Sequence, residues 1–178
     1  NQMSHVRAHN VGLAGEDSRG TLTESANEHG ISRVKERSKL PPEVFGLSAD
    51  KFGTEFSVEL RSAEDFVGGF GDSLNQAFIK IDVEGMEQEI VTGLLPLLKK
   101  FKPIVGFEWF TRAQPDLFDI GNSVEGYELW GIRVHDTGSN RLLRAFKMLF
   151  TGRFYTLEKL VKGHLDEVYP LALMVPKE

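Results

Sequence analysis

The sequence predicts an α/β fold, a mainly parallel sheet with helices on both faces. Three observations within Phe78–Trp109, FIKIDVEGMEQEIVTGLLPLLKKFKPIVGFEW, carry that prediction. Ala77–Asp82 is a short apolar run broken only by Lys80, as expected of a parallel strand covered on both sides. Ile90, Val91, Leu94, Leu95, Leu97, Leu98 and Phe101 recur at helical spacing and give the following segment a broad apolar face. After Pro103, IVGFEW is a second buried strand, so strand, helix and parallel strand make a βαβ unit with a right-handed crossover.

The elements on either side follow from local patterns. His5–Leu13 reads as a strand, GEDSRG as a turn and TLTES as a second strand, together a hairpin. Residues 26–54 lack periodicity and contain Pro41-Pro42, which predicts a long surface excursion within a single domain spanning 1–178. FSVEL alternates as a strand. In SAEDFVGGF, Ser62 is an N-cap with Asp65 three residues on, and Gly68-Gly69 stops the short helix. GGFGD is read as a loop. In the central helix Glu87 and Glu89 sit in the first turns and Lys99, Lys100 and Lys102 near the end, matching the helix dipole. Pro96 is expected to kink or restart it. Beyond Trp109, SVEGYELWG is expected as a helix, IRVHD as a strand, TGSN as a turn, RLLRAFKMLFTGRF and TLEKLV as helices, and YPLALMV as the last strand.

Composition narrows the function. The chain has 178 residues, a formal charge of -5 and no cysteine, with a pI near 5.6. A general nucleic-acid binder would usually be basic. Disulfides and thiolate metal sites are excluded, and a reducing, cytoplasmic setting is expected. No apolar run reaches the roughly 20 residues that span a bilayer.

The chemistry concentrates at strand ends. Ligands of open α/β sheets bind outside the carboxyl ends of the strands. Asp82 stands at one such end and Glu108 near another, while Glu84 lies in the turn and Gly85 lets the backbone enter the helix tightly. Lys80 and Asp82 share a face of their strand, which sets a cation beside an anion. The plain alternative stays open: Asp-x-Glu-Gly is also what a helix N-terminus favours through its dipole. Asp82 and Glu108 could together hold Mg²⁺, an oxygen-seeking ion, but no spacing signature supports it and no metal is assigned. The five histidines show no ligand spacing; His135 is a candidate base against the simpler reading of a solvated strand end. The basic apolar stretch RLLRAFKMLFTGRF reads either as a lid or membrane-surface contact gripping an anionic or lipid-linked acceptor, or, preferred, as a core helix with solvated arginine tips.

The stretch IKIDVEGMEQEIVTGLLPLL…KPIVGFE resembles the FkbM-type methyltransferases, which carry an Ile-Lys-Ile-Asp-Val-Glu-Gly strand and turn, then Glu, a helix, Pro, a hydrophobic strand and Glu. HNVGLAGEDSRGTLTE, VELRSAEDFV and the closing YPLALMVPKE resemble its flanking elements more weakly. The resemblance implies a Rossmann-like class I sheet of order 3-2-1-4-5-7-6, S-adenosylmethionine as cofactor, and methylation of a hydroxyl on a sugar, glycan or secondary metabolite. It implies catalytic or acceptor-side roles for Asp82, Glu84 and Glu108. Gly12, Leu13 and Asp82 fall on the cofactor side. The family's glycine-rich loop and ribose-binding acid are not found upstream of Asn10, so the chain is expected to be the carboxy-terminal portion of such a domain, lacking the first two strands. A non-catalytic binding domain on a partial scaffold is the alternative that this departure leaves.

Overall fold

A computed structural model describes residues 6–25, 32–38, 52–135, 154–163, 165–166 and 168–177. The chain divides into two compact units, Asn1–Asn75 with Val83–Lys102, and Gln76–Asp82 with Pro103–Glu178. Both are mixtures of strand and helix, so the α/β class holds, with two mixed sheets.

The first unit is organised by the long strand β4 (Phe52–Ser62). With β1 (Gly12–Ala14), β2 (Ser18–Ser25) and β3 (Ser32–Val34) it forms a sheet of order β1-β4-β2-β3. The expected hairpin does not form. β1 pairs with β4 in parallel and β2 pairs with it antiparallel, so the first two strands flank β4. Asp17 shows why. In the turn between them its carboxylate accepts the Ser62 N–H at 2.7 Å and the Arg61 Nε–H at 3.3 Å, drawing the chain across the end of β4. Of the described part of the expected first strand, 6–13, only Gly12 and Leu13 are in a strand, as part of β1 (Gly12–Ala14). Part of the 26–54 stretch is also ordered into the sheet: β3 pairs with β2, and β4 begins at Phe52. Ala14, Val34, Leu60 and Met86 form the core cluster here, backed by Leu22, Val58 and Val83.

Helix α1 (Ala63–Gly68) is capped as expected, with Ser62 Oγ accepting the Asp65 N–H at 3.3 Å. GGFGD is not a plain loop, because a 3-10 helix covers Gly71–Gln76 and buries Leu74. Helix α2 (Glu87–Phe101) runs through Pro96 without a break. Pro96 and Thr92 are both exposed, so water can satisfy the Thr92 carbonyl that loses its N–H partner. Lys102 closes the helix in the left-handed conformation, φ 52°, donating its N–H to the Leu98 carbonyl at 3.1 Å. A Cβ at Gly93 would make only ordinary contacts, 3.6 Å from Ala63 Cβ and 3.8 Å from Gly15 Cα, so α2 lies beside α1 and the end of β1 without needing a glycine there.

The second unit is a five-stranded sheet of order β5-β6-β9-β7-β8. Its strands are β5 (Phe78–Ile81), β6 (Ile104–Phe110), β7 (Tyr127–His135), β8 (Phe154–Lys159) and β9 (Val168–Pro176). β5 and β6 are parallel, and β9 is antiparallel to both β6 and β7. One face buries Ile81, Val105, Phe107, Leu129, Ala172 and Met174. A short helix α3 (Leu117–Ser123) packs by Gly121 against Leu129.

Two expected helices are strands. YELWG belongs to β7, with Tyr127, Leu129 and Gly131 buried and Glu128, Trp130 and Ile132 partly exposed, a period of two that outweighs helix propensity. Gly126, at φ 83°, turns the chain into that strand after α3. TLEK lies in β8, paired antiparallel with β7. TGSN, nearly all of RLLRAFKMLFTGRF and most of the excursion lie outside the described residues. Among the described residues no helix is long and apolar enough to cross a membrane.

Candidate active site

The parallel register of β5 and β6 runs Phe78–Ile104 to Ile81–Phe107. Asp82 lies just past the last residue of β5, and Glu108 lies within β6, two residues before that strand ends. The two carboxylates thus directly follow a matched pair of adjacent parallel strands.

Glu108 falls where the pairing of β6 with β9 slips, between Phe107 and Trp109. Over the slip β6 advances two residues and β9 three, so the extra residue lies on β9. The backbone around Glu108 is held firmly. Trp109 is fully buried, stacks on Tyr169 with ring centres 5.9 Å apart, and donates Nε1–H to the Gln114 carbonyl at 2.9 Å. Thr111 Oγ donates to the Asp166 carbonyl at 2.8 Å, and Arg133 Nε to the Asp166 carboxylate at 2.7 Å. Asp82 is paired with Lys80, as the strand alternation implies, and both side chains are more than half exposed.

Glu84 belongs to the first unit, in the turn that enters α2. Its backbone is left-handed, φ 48°, and Gly85 follows at φ 99°. Glu87, the first residue of α2, is buried and turns its carboxylate back to this turn, accepting the N–H groups of Gly85 at 3.0 Å and Val83 at 3.3 Å. Ser38 Oγ donates to the Glu84 carbonyl at 2.5 Å. In the sequence Glu87 reads as an acid favoured by the helix dipole and as the Glu that follows the family's turn. The signal for its second role is an acid two residues after a glycine turn whose N–H groups need an acceptor.

Gly12 and Leu13 lie in β1. A Cβ at Gly12 would meet Leu60 Cδ2 at 2.7 Å, so sheet packing accounts for that glycine. One residue past β1, the Gly15 N–H donates to Glu89 at 2.7 Å, and Glu89 also pairs with Arg37. This ties the end of β1 to α2. Among the described residues no group of three acidic, histidine or cysteine side chains could hold a metal ion.

The family model for the Methyltransferase FkbM domain matches residues 4–158. The chain belongs to the FkbM methyltransferase family. No curated protein and no solved structure matches it. Methyl transfer is the chemistry of an FkbM domain, and IKIDVEG, the stretch that carries the family resemblance, supplies Asp82 and Glu84 here.

Proposed function

We propose that the domain is an S-adenosylmethionine-dependent O-methyltransferase of the class I, Rossmann-like type, acting in the cytoplasm on a hydroxyl of a sugar, glycan or secondary metabolite. The observation that carries this reading is the placement of Asp82 and Glu108 directly after matched positions of parallel strands in an FkbM domain. The sheet supports it. The order β5-β6-β9-β7, with β9 antiparallel to both neighbours, corresponds to strands 4-5-7-6 of the class I order.

The donor set fits the cofactor chemically, since carboxylates suit the cationic methionine end. Bound S-adenosylmethionine would supply an electrophilic methyl group. Asp82 contacts the acceptor hydroxyl or the methionine end, and its exposed pair with Lys80 costs little to exchange for a ligand. Glu108 takes the hydroxyl proton as general base, with its backbone fixed by Trp109 and Thr111. Glu84 is the second acceptor-side carboxylate, and Gly12 and Leu13 lie on the cofactor side. A non-catalytic binding domain is the second reading; the glycine-rich stretch Gly68–Asp72, which begins at the last residue of a helix rather than after a strand, favours it.

Incubation of the protein with methyl-labelled S-adenosylmethionine and a panel of hydroxylated sugars and metabolites tests the proposal. Label recovered as a methyl ether supports it. Label found only on nitrogen or carbon rejects the O-methyl assignment, and no transfer to any acceptor favours the binding domain.

A further inference from the structure

Two non-glycine residues among those described have positive φ, Glu84 and Lys102. Lys102 ends a helix, where the left-handed conformation is common. Glu84 ends none. It sits between a strand and the start of α2, and a residue with a Cβ stays in that conformation only when its surroundings over-determine it.

The surroundings do so. Glu87 is 2% exposed. It stands at the first position of α2. It reaches backward to the N–H of Val83 and of Gly85, one residue on either side of Glu84. Ser38 holds the carbonyl of Glu84 itself. Val83 is packed against the cluster of Ala14, Val34, Leu60 and Met86, which anchors the near end of the turn. The turn is gripped at three consecutive backbone groups, and the buried carboxylate supplies two of the contacts.

We infer that Glu87 is a positioning residue. It locks the Val83–Gly85 turn in its strained form and thereby fixes the direction in which Glu84 presents its carboxylate. What Glu84 contacts rests on the proposed function; that Glu87 holds the strain does not.

The test is a double-mutant cycle read by thermal melting of the full protein. Glycine adopts positive φ freely, so Glu84→Gly should raise Tm by about 2–4 °C in the wild-type background. In a Glu87→Ala background the turn is no longer held and relaxes, so the same substitution should give little or no rise. Equal rises in both backgrounds would overturn the inference. If Glu87→Ala does not fold, Glu87→Gln serves, because its amide keeps one acceptor oxygen where the carboxylate has two. A second reading separates positioning from stability alone. With the acceptor found in the panel, Glu87→Gln and Glu84→Gly should each raise KM about tenfold, and the pair should lose no more than either alone. Normal kinetics for Glu84→Gly, with the melting result intact, would remove Glu84 from the proposed site and leave Glu87 as the holder of the turn.

Discussion

Lys80 and Asp82, two residues apart where β5 ends, form an ion pair in which both side chains remain more than half exposed. Such a pair contributes less than about 1 kcal/mol, because water competes for both charges and screens them. In the proposed function it places a carboxylate that can be released to a ligand. Lys80→Met should therefore shift thermal stability by under about 1 kcal/mol. Asp82→Asn should leave the melt equally undisturbed while lowering methyl transfer by about a hundredfold or more. A large fall in Tm for either variant would recast the pair as structural.

Asp17 provides a pH signature. The Ser62 N–H and, less strongly, the Arg61 guanidinium hold its carboxyl below the usual value. A carboxyl lowered on folding stabilises the native state above its unfolded pKa of about 3.9, and that contribution is lost as pH falls through the folded value. Asp17→Asn should lower Tm near neutral pH, and the gap from wild type should close below about pH 3.9. A gap that persists unchanged in strong acid would show that the side chain acts by shape rather than charge.

Gly131 is enclosed by the core of the second unit. An added Cβ would lie 2.6 Å from Tyr169 Cδ1 and 2.8 Å from Leu160 Cδ2. Gly131→Ala should cost about 1–3 kcal/mol, the usual range for overpacking. Denaturant titration measures it. A neutral result would mean that Tyr169 can swing aside, and its stacking on Trp109 would then be weaker than the geometry implies.

Tyr127 is buried, and burial raises the pKa of its phenol. Its hydroxyl donates to the Pro103 carbonyl at 2.6 Å, joining the start of β7 to the residue before β6. Tyr127→Phe strands that carbonyl and should cost about 1–3 kcal/mol. A loss below a few tenths would indicate that water replaces the hydroxyl.

The strands and helices with strong periodicity were legible from the sequence. Val91, Leu94 and Leu98 announced α2, and IVGFEW announced β6, because their patterns repeat over enough residues to leave one face to bury. The Ser62 cap and the Lys80–Asp82 pair were legible for the same local reason. β7 and β8 were not. YELWG and TLEK are short and rich in Leu and Glu, and only their pairing with each other and with β9 decides for strand. The separation of β1 from β2 depended on Asp17 reaching Ser62, a contact between residues 45 apart that no local pattern reveals. Of the candidate residues, the sequence located Asp82 and Glu108 after matched strand positions and Glu84 in the turn, which is as far as the structure bears on them. It could not supply the grip of Glu87 and Ser38 on the Glu84 turn, since β3, which leads into Ser38, is recruited from a stretch without periodicity.

The central claim is that this FkbM domain uses S-adenosylmethionine and that Asp82 serves the reaction. Titration calorimetry of the intact protein with S-adenosylhomocysteine tests it most directly, with Asp82→Ala in parallel. The account predicts saturable one-to-one binding by the wild type, weakened about tenfold or more in the variant if Asp82 holds the methionine end, or unchanged binding with lost turnover if it holds the acceptor. Absence of binding by the folded wild-type protein, or full binding and full turnover by Asp82→Ala, would contradict it.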